Sequence, residues 1–145
     1  MPQFGKVSEQ KIATLHTDLQ IILREAIKIT DFSVICGLRN EIDQNKAVSD
    51  RCSKAEYPKS RHNRSKNVDG TYNFTISDAV DIAPYPIKWP NIQTQTTQTY
   101  VKRMGVFYRL AGVILTIAAL RGIKIRWGGD FKSFFDGPHF ERVIT

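Results

Sequence analysis

The chain has 145 residues, of which 41% are hydrophobic and 24% charged, and this composition excludes an intrinsically disordered chain. The length suits one domain, which we predict to span residues 1–145. The formal net charge of +7 favours a polyanionic partner, either a nucleic acid or an acidic cell-wall polymer.

The N-terminus has no apolar stretch followed by a small-residue cleavage site, so no signal peptide is predicted. The longest apolar run, Leu110 to Leu120, is too short to span a bilayer and predicts a buried helix. The two cysteines, Cys36 and Cys52, are too few for a disulfide scaffold, and we expect free thiols, with a single Cys36–Cys52 bridge as the alternative. We therefore expect a cytoplasmic protein without stable membrane insertion.

Apolar residues recur at three- and four-residue spacing over Val7 to Ile29 and predict one helix, with Ser8 as its N-cap. His16 lies near this apolar stripe and is predicted to be a packed or surface residue. The segment Asp31 to Leu38 predicts a strand, and Arg39 follows it directly.

The middle of the chain is polar. Residues Glu41 to Ala55 fit either a helix or a loop, and Glu56 to Thr75 is basic and rich in turns, with a turn signal at residues 68–71. Alternating residues over Ile76 to Ala83 predict a strand, which the segment Pro84-Tyr85-Pro86 should end.

After a polar connection, Tyr100 to Arg121 predicts a second, central helix that ends at Gly122. Two further strands are predicted over Ile123 to Trp127 and His139 to Ile144. Helices and strands are segregated along the chain rather than alternating, which favours the α+β class.

Three short islands hold two of the three histidines and several carboxylates: Ser60-Arg61-His62, Ser77 to Asp81, and Asp136 to Glu141. Two neutral imidazoles and one carboxylate can hold a zinc ion with one position free, as in hydrolytic zinc sites. Such hydrolysis also needs a carboxylate that moves a proton and a cation that meets the developing oxyanion.

The islands offer a candidate for every role. The candidate ligands are His62, Asp81 and His139, the candidate general base is Asp136, and the candidate oxyanion cation is Arg39. Glu141 lies two residues beyond His139, so in a strand it faces the same way and can orient that ligand. Each island also has a purely structural interpretation, since Asp81 can end a strand and Asp136 can serve a turn.

The residues around the islands resemble a known superfamily. The matching motifs are Gly37-Leu38-Arg39, Ser60-Arg61-His62, Ser77 to Pro84, Trp127 to Asp130 and Pro138 to Glu141. Their order resembles the D-Ala-D-Ala carboxypeptidase and VanY-like peptidases, and most closely the phage endolysin branch, the L-alanyl-D-glutamate endopeptidases. Two departures are an insertion over Asn63 to Ile76 and Phe131, where the family often has tryptophan.

The resemblance implies a small antiparallel sheet packed with helices, as in Hedgehog domains and D,D-peptidases. It implies that His62, Asp81 and His139 bind Zn²⁺, that Asp136 is the catalytic acid/base, and that Arg39 stabilises substrate or oxyanion. The implied substrate is the peptidoglycan stem peptide, cut between L-alanine and D-glutamate. The implied enzyme is a monomer made in the host cytoplasm that reaches the wall after holin-type release and lyses the bacterium.

The insertion contains Arg64 and Lys66, which we predict to bind stem-peptide carboxylates beside the metal, although most basic runs are solvated loops.

Two other functions remain open. A D,D-carboxypeptidase or dipeptidase would use the same ligands, and a non-catalytic wall-binding or nucleic-acid-binding module would keep the fold without the chemistry. Asp136 argues against a pure binder, and the lack of an aromatic–basic recognition motif argues against nucleic acid.

Overall fold

The computed structural model describes all 145 residues. Its helices are α1 (Lys6–Ile12), α2 (Thr17–Ala26), α3 (Glu41–Ser49) and α4 (Thr97–Leu120). Its strands are β1 (Phe32–Cys36), β2 (Ser65–Lys66), β3 (Tyr72–Asn73), β4 (Ala79–Pro84), β5 (Ile125–Trp127) and β6 (His139–Arg142). This arrangement confirms the α+β class.

The main sheet has four strands in the order β1-β4-β6-β5, and every neighbouring pair is antiparallel. Each of its strands lies within or overlaps a segment that the sequence predicts as a strand. In β6, the alternation buries Phe140 in the core cluster and places His139 and Glu141 on the other face. The face of the sheet opposite the core is therefore available for a site.

Helices α2 and α4 pack against each other, and α4 also contacts β4 and β5. The core between them consists of fully buried aliphatic and aromatic side chains, including Leu19, Ile22, Leu23, Val80, Ile82, Ile114 and Phe140. Burial of this continuous apolar surface is the main source of stability for the fold.

The first predicted helix is wrong in one respect, because the structure divides it into α1 and α2. Thr14 Oγ1 donates to the carbonyl oxygen of Lys11 at 2.6 Å and accepts from the amide of Leu38 at 2.9 Å. The backbone nearby pairs with Ser77, since Ser77 N donates to Thr14 O at 2.8 Å and His16 N donates to Ser77 O at 2.9 Å. The break therefore ties the helical layer to the strand that carries Asp81.

The predicted cap at Ser8 is also wrong, because the N-cap of α1 is Gly5. Ser8 is buried, and its hydroxyl accepts a hydrogen bond from the amide of Val34 at 3.1 Å. At the other end of the chain, Gly122 follows the last residue of α4 closely and adopts a φ of +67°, in agreement with its predicted role.

Helix α4 begins earlier than predicted because the Thr96 hydroxyl accepts from the amide of Thr99 and caps it. It is the one helix long and apolar enough to cross a membrane by length and composition. The central helix of a globular domain meets the same criterion, and α4 packs on α2 and the sheet.

The polar middle segment forms α3 and then a small hairpin, β2–β3, within the insertion. The predicted turn between these strands is present, and Gly70 adopts a φ of +87° there. The amide of Gly70 donates to Asn67 O at 3.0 Å and closes this turn.

Candidate active site

The register of the sheet places two of the predicted ligands side by side. Asp81 of β4 lies directly opposite His139 of β6, and Glu141 lies opposite Ala79 on the same face. His139 Nδ1 is 3.1 Å from Asp81 Oδ1. Because side chains alternate along a strand, this register brings Asp81, His139 and Glu141 to one surface.

His62 reaches the same point from a short 3-10 turn, Arg61–Asn63, outside the sheet. Ser60 caps this turn by accepting from the amide of His62 at 3.2 Å, and the Asn63 side chain accepts from the amide of Ser60 at 3.1 Å. The carbonyl of His62 accepts from the amide of Arg39 at 2.8 Å, which joins the turn to the segment after β1.

The three candidate ligand atoms form a compact triangle. His62 Nε2 lies 3.2 Å from both Asp81 Oδ1 and His139 Nδ1. Tetrahedral zinc binds nitrogen and oxygen at about 2.0–2.2 Å, which requires ligand atoms roughly 3.3 Å apart. The triangle therefore fits a zinc ion bound on one side.

Hydrogen bonds on the far side of each ring set the tautomers. His62 Nδ1 lies 2.8 Å from the carbonyl oxygen of Gly37, which can only accept, so Nδ1 carries the proton. His139 Nε2 lies 2.9 Å from Glu141 Oε2 and donates to that carboxylate. The ring nitrogens that remain, His62 Nε2 and His139 Nδ1, both face Asp81 and are the atoms available to a metal.

Such a cluster holds a proton when no cation is bound. Burial lowers the pKa of His62, but the negative charge of Asp81 outweighs it and raises that pKa to about 10. Burial alone would raise the pKa of Asp81. The positive charge and the hydrogen bonds of the two histidines outweigh burial, so the pKa of Asp81 lies below its ordinary value. A bound cation would replace that proton at the centre of the triangle.

Glu141 is held in place by a second partner, since its Oε1 accepts from Arg126 Nε at 3.1 Å. Burial raises the pKa of Glu141, but hydrogen bonds from His139 and Arg126 outweigh it and lower the pKa to about 2. The carboxylate is thus charged at neutral pH and keeps the His139 ring oriented.

Asp136 lines the same cavity as the three ligands. Its amide donates to Gly128 O at 3.0 Å, and its carbonyl accepts from the amide of His139 at 3.2 Å. A Cβ at Gly128 would overlap the Asp136 carbonyl oxygen and lie 2.9 Å from Asp136 Cβ, so this close approach requires glycine. Burial, and then the charge of Asp81, raise the pKa of Asp136 above its ordinary value.

Arg39 lies at the edge of the ligand triangle, with Nη2 3.6 Å from Asp81 Oδ2. Its Nη1 donates to Gln44 Oε1 at 3.0 Å, and Nη2 lies 3.6 Å from Cys36 Sγ. Cys36 Sγ, with donor atoms of His62 and Asp81, forms a looser group within 4.8 Å that could also hold a metal. We favour the His62–Asp81–His139 set because its spacing matches zinc more closely.

Gln44 is a site residue that the sequence interpretation missed. It is fully buried, accepts from Arg39 and from Asn63 Nδ2 at 3.2 Å, and donates to Ser53 Oγ at 2.9 Å and Ala55 O at 2.6 Å. A polar residue in a polar helix gives no signal in the sequence, because only the tertiary fold buries it. Gln44 thus holds the guanidinium of Arg39 beside Asp81.

We expect Gln44→Leu to lower kcat for wall-peptide hydrolysis about 10- to 100-fold, because Arg39 Nη1 loses its acceptor and Asn63 Nδ2 loses one of its two. Gln20→Leu is the matched control, since Gln20 makes one hydrogen bond to Leu15 O away from the cavity. Steady-state kinetics and thermal unfolding would be measured for both variants. An unchanged kcat in Gln44→Leu would show that Arg39 does not depend on this contact.

The cavity measures about 520 Å³, and neither Arg64 nor Lys66 lines it. The Arg64 guanidinium lies 3.7 Å from the centre of the Tyr72 ring, and the amide of Lys66 donates to Asp78 Oδ2 at 2.8 Å. Other cations line the wall: Arg51, Lys54, Lys59, Arg61 and Arg126, together with Arg39. The structure thus separates the two predicted substrate-binding residues from the other predicted site residues.

A family profile described as phage L-alanyl-D-glutamate peptidase matches residues 1–143 of the chain. The chain belongs to this family. It is 26% identical to an L-alanyl-D-glutamate peptidase of Escherichia phage T5, over 97% of this chain and 98% of that protein.

A solved structure supports membership in the phage L-alanyl-D-glutamate peptidase family. The fold is similar to that of the Serratia marcescens L-Ala D-Glu endopeptidase ChiX, with a TM-score of 0.69 and 26% identity over 97% of this chain and 89% of that one. The resemblance inferred from the ordered motifs is confirmed, and the protein is a peptidase. Both cysteines are free thiols in this member of the family.

Proposed function

We propose that this protein is a zinc-dependent endolysin that hydrolyses the bond between L-alanine and D-glutamate in the peptidoglycan stem. The observation that supports this most directly is the convergence of three candidate ligand atoms, His62 Nε2, Asp81 Oδ1 and His139 Nδ1, in a cavity that Asp136 also lines. A peptidase of this family acts on the wall, and the proposal adds the bond, the metal and the residue roles.

The donor set suits zinc, since two neutral imidazoles and a carboxylate leave a fourth position free. A zinc ion held there would supply a Lewis acid for the amide carbonyl and would lower the pKa of water to about 7. Glu141 would keep His139 in the binding tautomer, and the carbonyl of Gly37 would do the same for His62.

Asp136 is assigned the proton transfers. As a partly buried carboxylate with a raised pKa, it would accept a proton from the attacking water and deliver it to the amide nitrogen of the leaving D-glutamate. Arg39, held by Gln44, would meet the negative charge that develops on the carbonyl oxygen. These roles require no other titratable side chain in the cavity.

A phage endolysin is made in the host cytoplasm and acts on the cell wall. We further propose that this chain acts as a monomer, without stable membrane insertion and without a nucleic-acid partner, and reaches the wall after holin-type release. Lysis of the host would follow from cutting the stem peptides that link the glycan strands.

Metal removal tests this proposal. We expect dialysis against a chelator to abolish digestion of purified sacculi, and zinc at one equivalent per chain to restore it. Calorimetric titration of the stripped protein should give one zinc site, which is lost in His139→Ala. Full activity of the stripped protein would contradict the zinc assignment.

Mass analysis of the digest identifies the bond. New N-terminal D-glutamate is expected, whereas released D-alanine would identify a D,D-carboxypeptidase. The absence of any product would favour a non-catalytic wall-binding module. The digest would be run with and without the chelator, so that only metal-dependent products are counted.

A further inference from the structure

Four cations on the cavity wall have no ion-pair partner: Arg51, Lys54, Lys59 and Arg61. All four side chains are exposed. Lys54 makes one notable contact, with its Nζ 4.7 Å from the centre of the Phe134 ring. These residues belong to the segment between α3 and His62, and they line the same cavity as the ligand triangle.

The acidic groups of the cavity do not neutralise these cations. Asp81 is committed to the two histidines and Arg39, and Glu141 is committed to His139 and Arg126. The remaining carboxylate, Asp136, is needed for proton transfer. The wall therefore presents uncompensated positive charge to whatever enters, and a concave site increases its effect.

Arg51 supplies a second, independent observation. It is the only residue other than glycine with a positive φ, +59°, and it follows the C-cap of α3. Glycine is the usual residue at such a position, because a side chain is strained there. The strained position places a guanidinium on the cavity wall.

The chemistry of the substrate indicates what this charge would meet. A glutamate that gives its amide nitrogen to the scissile bond has two carboxyl groups, and at most one of them continues the peptide. The other is free, either as a carboxylate or as a carboxamide. This group lies within a few bonds of the reacting amide, on the leaving side.

We propose that Arg51, Lys54, Lys59 and Arg61 form an anion subsite that selects stem peptides in which the free carboxyl of D-glutamate is a carboxylate rather than a carboxamide. This inference rests on the proposed function. The subsite takes the place that the sequence interpretation gave to Arg64 and Lys66, which lie outside the cavity.

The test uses two stem peptides that differ only in this group, carboxylate or carboxamide. We expect the wild-type protein at low salt to favour the carboxylate peptide by about tenfold in kcat/KM, and 0.5 M salt to reduce the preference. Arg51→Gly and the double variant Lys59→Gln with Arg61→Gln should each raise KM for the carboxylate peptide about two- to fivefold per charge removed. Neither should change KM for the carboxamide peptide.

Two controls separate the subsite from general effects. Lys28→Gln removes an exposed charge away from the cavity and should leave the preference unchanged. Arg51→Gly relieves the positive φ, so its Tm should equal or exceed that of the wild type, whereas Arg51→Gln should show the same kinetic loss without a gain in Tm.

Equilibrium binding of both peptides to Asp136→Asn keeps the inference testable if hydrolysis fails. We expect the carboxylate peptide to bind more tightly than the carboxamide peptide. This difference in affinity should disappear when Lys59→Gln and Arg61→Gln are added. Equal binding and equal turnover of the two peptides would overturn the subsite and leave the proposed function intact. Cleavage of a different bond in both peptides would instead overturn the proposed function, while the binding comparison would still decide the subsite.

Discussion

Replacing Asp136 by asparagine is expected to lower the rate of wall digestion by about 10²- to 10⁴-fold, since the variant keeps the shape of the side chain but cannot accept a proton. Zinc affinity and Tm should stay close to wild type, because the backbone contacts of residue 136 to Gly128 and His139 do not involve its carboxylate. The measurement is product release from purified sacculi, with zinc titration alongside. Digestion at a near wild-type rate would disprove the role assigned to Asp136.

The pH profile provides a second readout for the same residue. Burial and the charge of Asp81 raise the pKa of Asp136, so its carboxylate becomes protonated at a higher pH than an ordinary aspartate. Because only the charged form accepts a proton, kcat/KM should fall as the pH drops through this pKa. The residual activity of Asp136→Asn should lack that acid limb, and an unchanged limb would assign it to another group.

Replacing Asp78 by alanine is expected to destabilise the fold by about 3–5 kcal/mol, which is the cost of breaking a buried ion pair. The Asp78 side chain is 1% exposed, and it pairs with Arg142 through Nη1 at 2.6 Å. It also accepts from Ser65 Oγ and from the amide of Lys66, each at 2.8 Å. One carboxylate therefore joins the C-terminal strand and the hairpin of the insertion to the start of β4.

Thermal and denaturant unfolding would measure this effect, with a fall in Tm of about 10–20 °C expected for a chain of this length. Asp31→Ala is the matched control, because Asp31 is exposed and forms no ion pair. A loss below 1 kcal/mol in Asp78→Ala would show that Arg142 is satisfied by Asp18 alone, which it contacts at 3.0 Å.

Asp78 and Asp81 also illustrate how far a motif can be interpreted. Both belong to the island Ser77 to Asp81, and each is three residues from the other. Asp81 alternates with buried neighbours and shares a face with the histidine of the paired strand, whereas Asp78 precedes β4 and is buried under Arg142. The flanking motifs pointed to Asp81, but nothing local indicated that Asp78 would be structural.

Local rules were sufficient for much of this protein. Period-two alternation predicted the strand that contains Asp81. The short strand predicted over His139 to Ile144 placed His139 and Glu141 on a common face, because side-chain direction in a strand depends only on the chain itself. The ordered motifs predicted the family, the α+β class and the peptidase activity. The segment Val7 to Ile29 was predicted as one helix because its apolar residues keep the helical spacing across the break between α1 and α2.

Contacts between distant residues decided the rest. The His62–His139 contact spans 77 positions, and the Asn63–Arg39 contact spans 24. The fold places Gln44 against Arg39. It also places Arg51, Lys54, Lys59 and Arg61 among the cations that line the cavity, and leaves Arg64 and Lys66 outside it. The sequence determined which side chains have the required chemistry, whereas burial and position depend on which segments pack together, and only the tertiary structure supplies that.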